Sequence, residues 1–144
     1  MSTTPDPLAN NRNVLEEYSK QMNRLLATGK YNSGKRPSEH LISQNAFTID
    51  NGGSIPSNVI IAPNTDSHST YLIKCKEKGL PIHPARMPMQ LPEFFIKMLT
   101  ESGDIVLDCF AGSNTTGYCA EKLNRKWISV EANKDYYMGS KYRF

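Results

Sequence analysis

The most informative pattern in the sequence lies at residues 104–131, D-I-V-L-D-C-F-A-G-S-N-T-T-G-Y-C-A-E-K-L-N-R-K-W-I-S-V-E. It begins with an apolar run at residues 105–107, whose length and β-branched content predict a buried strand of a parallel sheet. A turn of small residues follows, a helix then begins at Thr115 or Thr116, and a second strand at residues 127–130 ends in an acid. This order predicts a βαβ unit, which binds a nucleoside ligand at the carboxyl ends of its strands.

The glycine turn discriminates between nucleoside ligands. Gly112, Asn114 and Gly117 stand at the spacing of G-x-G-x-x-G, and Glu131 follows where a ribose-binding acid is expected. In a dinucleotide site the second glycine lets the backbone approach a pyrophosphate. Here that position is Asn114, whose side chain would obstruct the approach while still tolerating a left-handed turn. Asp108 suits a positively charged ligand. S-adenosylmethionine (AdoMet) has no phosphate and carries an ammonium and a sulfonium, so it meets both conditions.

The same stretch resembles the cofactor motif of DNA amino-methyltransferases. Residues 108–117, D-C-F-A-G-S-N-T-T-G, are similar to their AdoMet motif D-P-F-x-G-S-G-T-T, with Cys109 for the usual proline and Asn114 for the usual glycine. Upstream, residues 83–88, H-P-A-R-M-P, resemble the H-P-A-x-F-P element that comes just before that motif.

The resemblance covers nearly the whole chain. Residues 125–131 resemble the second cofactor strand of these enzymes, and residues 136–144, which end in R-F, resemble their final helix. Residues 11–81 are similar to the target-recognition part of PvuII-like modification methylases. With the cofactor half last, the motifs follow the β arrangement of the N(4)-cytosine and N(6)-adenine methyltransferases.

The resemblance implies an α/β protein with a Rossmann-like AdoMet-dependent methyltransferase fold, an incomplete sheet and a loop-rich target-recognition region. It divides the chain into a disordered lead-in (1–10), a helix plus the target-recognition region (11–82) and the AdoMet-binding half (83–144). Glu131 is expected to bind the ribose hydroxyls, and Asp108 either meets the methionine end or orders the turn. For His83, a hydrogen-bonded structural role is an equal alternative. The residues assigned to the cofactor are His83, Asp108, Phe110, Ala111, Gly112, Ser113, Asn114, Thr115 and Glu131.

Residues 30–57 are rich in Gly, Ser, Asn and Pro, with one strand-like patch at residues 46–49. A loop of this length in a small domain is usually functional or disordered. Residue types alone fit a mobile surface loop equally well, and the resemblance favours recognition of double-stranded DNA. Basic side chains would contact phosphates and polar ones would reach base edges. The residues assigned to DNA are Lys30, Lys35, Arg36, Ser38 and Asn45.

The motif that performs the chemistry in these enzymes is missing from this sequence. They hold the target amine with an S/D/N-P-P-Y/W loop, whose aromatic residue stacks on the flipped base, but this sequence contains no Pro-Pro. We therefore assign no catalytic residue and expect a split subunit or a fragment, with an amino-terminal partner that carries the loop. The PvuII-like region favours cytosine as the methylated base, with adenine left open. The alternatives are a non-catalytic DNA- or cofactor-binding relic and, disfavoured by Asn114, an oxidoreductase domain.

Composition is that of one ordinary domain, with 144 residues and a net charge of only +3. Three cysteines without a C-x-x-C are expected to be reduced, buried thiols. No signal peptide, membrane span or metal-ligand spacing of histidines is evident, so we expect a cytoplasmic protein without metal or membrane contact. Hydrophobic periodicity predicts further elements: a helix at 14–26 closed by Gly29, a strand at 58–62, a helix from Ser69 or Thr70, and a helix with Pro92 in its first turn.

Overall fold

The computed structural model describes residues 12–30, 34–35, 37–43, 47–63 and 69–144. The chain divides into two compact units, a smaller one of Leu15–Pro56 and a larger one of Met1–Val14 with Ser57–Phe144. The predicted division between residues 82 and 83 stays a prediction. The lead-in predicted at residues 1–10 lies outside the described residues.

In the smaller unit, helix α1 spans Lys20–Thr28. The predicted start near Val14 is wrong, because Glu16 is extended and forms an isolated antiparallel bridge. The hydroxyl of Ser19 caps the helix by accepting a first-turn N–H at 3.2 Å. The predicted end is confirmed, since Gly29 follows the helix with a left-handed φ of 62°, which glycine adopts without steric cost.

The smaller unit also contains an antiparallel hairpin of β1 (Gly34–Lys35) and β2 (Leu41–Ile42). These strands are too short for the alternation of side chains to reveal them in the sequence. The strand-like patch predicted at residues 46–49 is wrong for residues 47–49, which form no strand, and residue 46 lies outside the described residues. At the hairpin tip, Glu39 has a φ of 64°, an uncommon backbone conformation for a residue with a side chain.

Among the described residues of the larger unit, two helices precede the predicted βαβ unit. Helix α2 spans Thr70–Glu77, and helix α3 spans Gln90–Leu99 with Pro92 in its first turn, so both predicted helices are confirmed. The strand predicted at residues 58–62 is wrong, because these residues form no regular structure. An apolar run becomes a strand only beside a hydrogen-bonding neighbour, and no strand among the described residues pairs with this one.

The βαβ unit is confirmed as β3 (Ile105–Asp108), α4 (Thr115–Lys122) and β4 (Lys126–Ser129). The two strands are parallel and pair residue for residue along their full length. Val106 and Trp127 pack from the sheet onto a buried cluster contributed by α3 and α4. This packing fixes the carboxyl ends of both strands on the same side as the start of α4.

The opposite face of the two-stranded sheet is exposed. Ile105 and Leu107 are 62% and 61% exposed, and Ile128 and Val130 are exposed beside them. The prediction that the first strand is buried is therefore wrong in this structure. An apolar run indicates a strand whose two faces both favour burial. Whether the second face is covered depends on other polypeptide, which the run itself does not predict.

The chain ends in helix α5, Lys134–Ser140, followed by a 3₁₀ turn at Lys141–Arg143. The helix predicted at residues 136–144 thus begins earlier and tightens at its end. Tyr71 and Cys75 of α2 lie in a second buried cluster that receives a side chain from this carboxyl-terminal turn. Within the described part of the chain, no helix has the length and hydropathy to cross a bilayer.

The cysteines are only partly as predicted. All three are free thiols, and Cys75 and Cys119 are buried, but Cys109 is exposed. The prediction is wrong for Cys109 because this residue directly follows β3, at the start of the turn, where its neighbour Phe110 is exposed as well. Burial raises the pKa of Cys119 to about 11, which keeps that thiol protonated and unreactive near neutral pH.

Candidate functional site

The turn after β3 crosses the carboxyl ends of both strands. The carboxylate of Asp108 accepts the N–H of Phe110 at 2.9 Å and so starts the turn. The N–H of Ala111 then donates to the carbonyl of Val130 at 3.0 Å, which ties the turn to the end of β4. Gly112 follows with a left-handed φ of 52°, a conformation that glycine favours. The backbone of this turn is therefore fixed by the protein itself.

Asn114 ends the turn and begins α4. Its φ of 57° lies in the left-handed region, as its side-chain chemistry predicted. Its side-chain oxygen accepts the N–H of Gly117 at 3.1 Å and the hydroxyl of Ser129 at 2.7 Å. A Cβ on Gly117 would collide with that side chain, which explains the glycine. Since Asn114 is only 3% exposed, its amide serves the turn and the helix rather than solvent.

Ser113 and Thr115 flank Asn114, and both are buried. Their hydroxyl oxygens lie 3.3 Å apart. Arg143 of the carboxyl-terminal turn donates to the Ser113 carbonyl at 2.7 Å and to the Ser113 hydroxyl at 2.9 Å. In the sequence, R-F is informative only as part of the resemblance of the final helix, and Arg143 has no predicted role. A basic residue in an otherwise aromatic turn is a weak signal, and nothing in the sequence names its partner.

Glu131 lies directly after β4, against the glycine turn. One carboxylate oxygen accepts the N–H of Gly112 at 2.7 Å, and the other accepts the N–H of Asn133 at 2.8 Å. The hydrogen bond from Asn133 is the largest cause that holds the pKa of Glu131 below its usual value, and it prevails over the opposing effect of partial burial. Glu131 is therefore an oriented, ionised acid at the position predicted for a ribose ligand.

His83 packs against the same turn from the extended segment before α3. A Cβ on Gly112 would lie 3.0 Å from its ring, and its ring centroid lies 4.7 Å from that of Tyr136. The backbone N–H of His83 donates to the hydroxyl of Tyr71 at 3.0 Å, and the ring Nδ1 of His83 lies 3.1 Å from the carbonyl of Ala85. These contacts favour a structural role for His83. Its ring still lies against the cofactor turn, so His83 also stays a predicted contact of the cofactor. No three His, Cys, Asp or Glu side chains in the described ranges cluster as metal ligands.

The residues assigned to the cofactor converge in part. His83, Gly112 and Glu131 are in contact, whereas the side chain of Phe110 is 92% exposed beside them. Of the residues assigned to DNA, Lys30, Lys35 and Ser38 are exposed in the smaller unit. Arg36 and Asn45 lie outside the described residues.

A second surface feature lies at the outer edge of β3. The carbonyls of Asp104 and Asp108 point to β4, where they accept N–H groups at 2.8 Å. Because alternate residues of a strand point to opposite neighbours, the N–H and C=O of Ile105 and Leu107 point away from β4. In the described part of the chain no other strand pairs with β3. An apolar groove of about 460 Å³ lies beside this edge, lined by residues that include Met87, Leu91, Phe95, Leu99, Ile105 and Leu107.

Comparisons with known proteins agree on one family. A family model described as DNA methylase matches residues 8–141. The type II methyltransferase M.PvuII of Proteus hauseri is 47% identical over 145 aligned residues, which cover 99% of this chain and 43% of that protein. The DNA adenine methyltransferase YhdJ of Escherichia coli K12 is 46% identical over 54 residues, or 38% of this chain and 18% of that protein.

A solved structure agrees with the fold. The PvuII DNA methyltransferase (cytosine-N4-specific) superposes with a TM-score of 0.60 at 52% identity, over 62% of this chain and 32% of that chain. The α/β architecture, with a small parallel sheet and an incomplete Rossmann-like arrangement, is thereby confirmed. The chain spans less than half the length of the M.PvuII relative.

Proposed function

This chain belongs to the DNA methylase family, and we propose that it is the AdoMet-binding and target-recognition part of a site-specific DNA methyltransferase. The observation that carries this proposal is the contact of Glu131 with the N–H of Gly112 at 2.7 Å. It brings Glu131, the acid proposed to bind ribose, against the glycine turn at the carboxyl ends of two parallel strands, and such sites favour nucleosides.

The geometry of the turn suits AdoMet better than a dinucleotide. The buried side chain of Asn114 fills the position at which a pyrophosphate would need a glycine. Each carboxylate oxygen of Glu131 accepts one backbone N–H and has a further lone pair for a ribose hydroxyl. Ser113 and Thr115, which are 4% and 3% exposed, are the proposed contacts of the methionine end. Exposed Phe110 and the ring of His83 would line the pocket.

The bound cofactor would supply a methyl group already activated on its sulfonium, and the chemistry at the amine would need the missing S/D/N-P-P-Y/W loop. We assign that loop to polypeptide that corresponds to the amino-terminal part of the full-length relatives, either a partner chain or a further part of the protein of which this chain is a fragment. The exposed Ile105 and Leu107, and the outward N–H and C=O groups of β3, support a need for further polypeptide at this sheet. The alternative is a relic of this fold that binds DNA or cofactor without catalysis.

The proposed substrate is the exocyclic amine of cytosine in double-stranded DNA, with adenine as the second candidate. The identity to M.PvuII along 99% of the chain supports cytosine, because the related structure is named cytosine-N4-specific. The identity to YhdJ covers 38% of the chain. Lys30, Lys35 and Ser38, together with Arg36 and Asn45, are the proposed DNA contacts, in which basic groups neutralise phosphates.

Calorimetric titration of AdoMet into the purified chain tests the cofactor site, with NAD as the control ligand. We expect saturable binding of AdoMet and none of NAD. Glu131→Ala should weaken AdoMet binding by roughly 1.5–3 kcal/mol, the range for a hydrogen bond to a charged group. Glu77→Ala, which removes an exposed carboxylate of α2, is the matched control. Unchanged affinity in Glu131→Ala would remove the ribose assignment.

The partner is tested separately. Methyl transfer from labelled AdoMet to plasmid DNA should require the addition of a chain that carries the P-P-Y loop. Methylation by this chain alone would refute the split-subunit hypothesis. Product analysis for N4-methylcytosine and N6-methyladenine then identifies the base.

A further inference from the structure

The carboxyl-terminal residues reach the cofactor turn through one buried cation. Arg143 is only 9% exposed, and its guanidinium donates to both the carbonyl and the hydroxyl of Ser113, at 2.7 and 2.9 Å. Two donors of one planar fork therefore hold one residue of the turn at its backbone and its side chain. An arginine makes such a paired contact, and a lysine does not have the geometry for it.

The same guanidinium links the turn, through Tyr71, to His83. Its carbon lies 4.8 Å from the centroid of the Tyr71 ring, within range of a cation–π contact. The Tyr71 hydroxyl accepts the N–H of His83, whose ring packs on Gly112. Arg143, Tyr71 and His83 thus form a continuous chain of contacts that begins at Ser113 and returns to its neighbour Gly112.

We propose that Arg143 is a positioning residue of the AdoMet site. By holding Ser113 in place, Arg143 orients the backbone of the turn toward the methionine end of the cofactor. The inference rests on the proposed function, because it concerns the same pocket. Arg143 contacts the turn from the interior of the protein. We do not expect it to contact the ligand. Its effect should therefore be specific to one end of AdoMet. The nucleoside end depends on Glu131, which contacts Gly112 and Asn133 instead.

The matched control is Lys141, two residues before Arg143 in the sequence. It is an exposed cation of the same 3₁₀ turn, and its ammonium lies 4.6 Å from the ring centroid of Tyr137. Lys141→Met removes one positive charge and one cation–π contact from the same element, as Arg143→Met does. It removes no hydrogen bond to the cofactor turn, so the two variants differ in the contact to Ser113.

The experiment compares two ligands in calorimetric titration of the full chain: AdoMet and 5′-methylthioadenosine, which has the nucleoside end without the amino acid. Arg143→Met should bind AdoMet roughly tenfold to a hundredfold more weakly than the wild type, the loss for hydrogen bonds from a charged donor. Its affinity for 5′-methylthioadenosine should stay within about twofold. Lys141→Met should bind both ligands as the wild type does. Arg143→Lys keeps the charge but not the fork, so it should also lose AdoMet affinity selectively.

The outcomes separate the two proposals. If the wild-type chain does not bind AdoMet, the proposed function fails. If the wild type binds and Arg143→Met loses both ligands equally, or neither, the positioning role is refuted. Circular dichroism and Trp127 fluorescence establish that each variant is folded. Should Arg143→Met be unfolded, the ratio of the two affinities in Arg143→Lys decides, with an unchanged ratio counting against the proposal.

Discussion

Asn114 stands where the related AdoMet motif has glycine, and two substitutions there separate its backbone role from its side-chain role. Asn114→Gly keeps the left-handed backbone at φ 57° and removes the amide. Asn114→Ala also removes the amide but keeps the Cβ, which in this conformation costs an ordinary residue roughly 1–2 kcal/mol. The difference in stability between the two variants therefore measures chiefly the cost of a Cβ in the left-handed backbone, with a smaller part from the preference of an N-cap position for glycine over alanine.

The magnitudes follow from the contacts of the side-chain oxygen. Loss of the bond to the N–H of Gly117 costs about 1 kcal/mol for a change to alanine and only a few tenths for a change to glycine. Loss of the bond from the Ser129 hydroxyl costs about 1 kcal/mol in both variants. We expect Asn114→Ala to lose roughly 2–3 kcal/mol in the free energy of unfolding, from the two hydrogen bonds and the lower tolerance of alanine for a left-handed backbone, and Asn114→Gly no more than roughly 1–1.5 kcal/mol.

Urea unfolding of the wild type and both variants measures these differences, and thermal unfolding should separate the variants by roughly 3–8 °C. The wild-type m-value must be retained for the comparison to hold. AdoMet affinity should be nearly unchanged in Asn114→Gly, because the turn offers its backbone and not this amide. Equal destabilisation by glycine and alanine would refute the assignment of a strained backbone, and a more stable alanine variant would refute the whole account.

Three further predictions concern other sites. In the folded chain the thiol of Cys109 should react rapidly with a thiol reagent at about pH 8. Cys75 and Cys119 should react only after denaturation, because both are buried. Mass spectrometry that finds two or three adducts before unfolding would contradict the burial of these two thiols. Because the folded pKa of Glu131 is lowered, its contribution to stability is present at neutral pH and is lost as the pH falls through that lowered value; Glu131→Gln should flatten the acid limb of a stability profile measured between about pH 3 and 7. Arg125 donates three hydrogen bonds of 2.7–3.0 Å to two carbonyls and one hydroxyl; Arg125→Lys should lower the free energy of unfolding by about 2 kcal/mol, and a loss under about 0.5 kcal/mol in urea unfolding would refute that role.

The βαβ unit was predictable because its signals are local. An apolar run, a turn of small residues and a helix start at Thr115 each depend on a few neighbouring residues. The left-handed backbone of Asn114 was predictable for the same reason, since a short amide side chain tolerates it. The cap that this side chain supplies to Gly117 is also local, at a distance of three residues in sequence.

Contacts between distant residues were not predictable from patterns. Arg143 and Ser113 are 30 residues apart, and no periodicity or spacing rule connects a terminal arginine to a glycine turn. The start of α1 was misplaced because the apolar spacing continues before Ser19, whereas the pairing of Glu16 with Ser54 keeps that part extended. The bridge between Glu16 and Ser54, which are 38 residues apart, competes with helix formation. The apolar spacing of the helix does not predict such a bridge.

The incomplete sheet connects the fold to the proposed need for a partner. The outward N–H and C=O groups of Ile105 and Leu107 would be satisfied by another strand, and the apolar groove beside them would accept its side chains. If that strand were parallel to β3, its carboxyl end would lie beside Asp108 and the turn that follows. A loop carried there would face the methyl group of a cofactor bound at Gly112 and Glu131. The same edge that leaves this chain with exposed apolar surface is thus the edge at which a catalytic loop would reach the proposed cofactor.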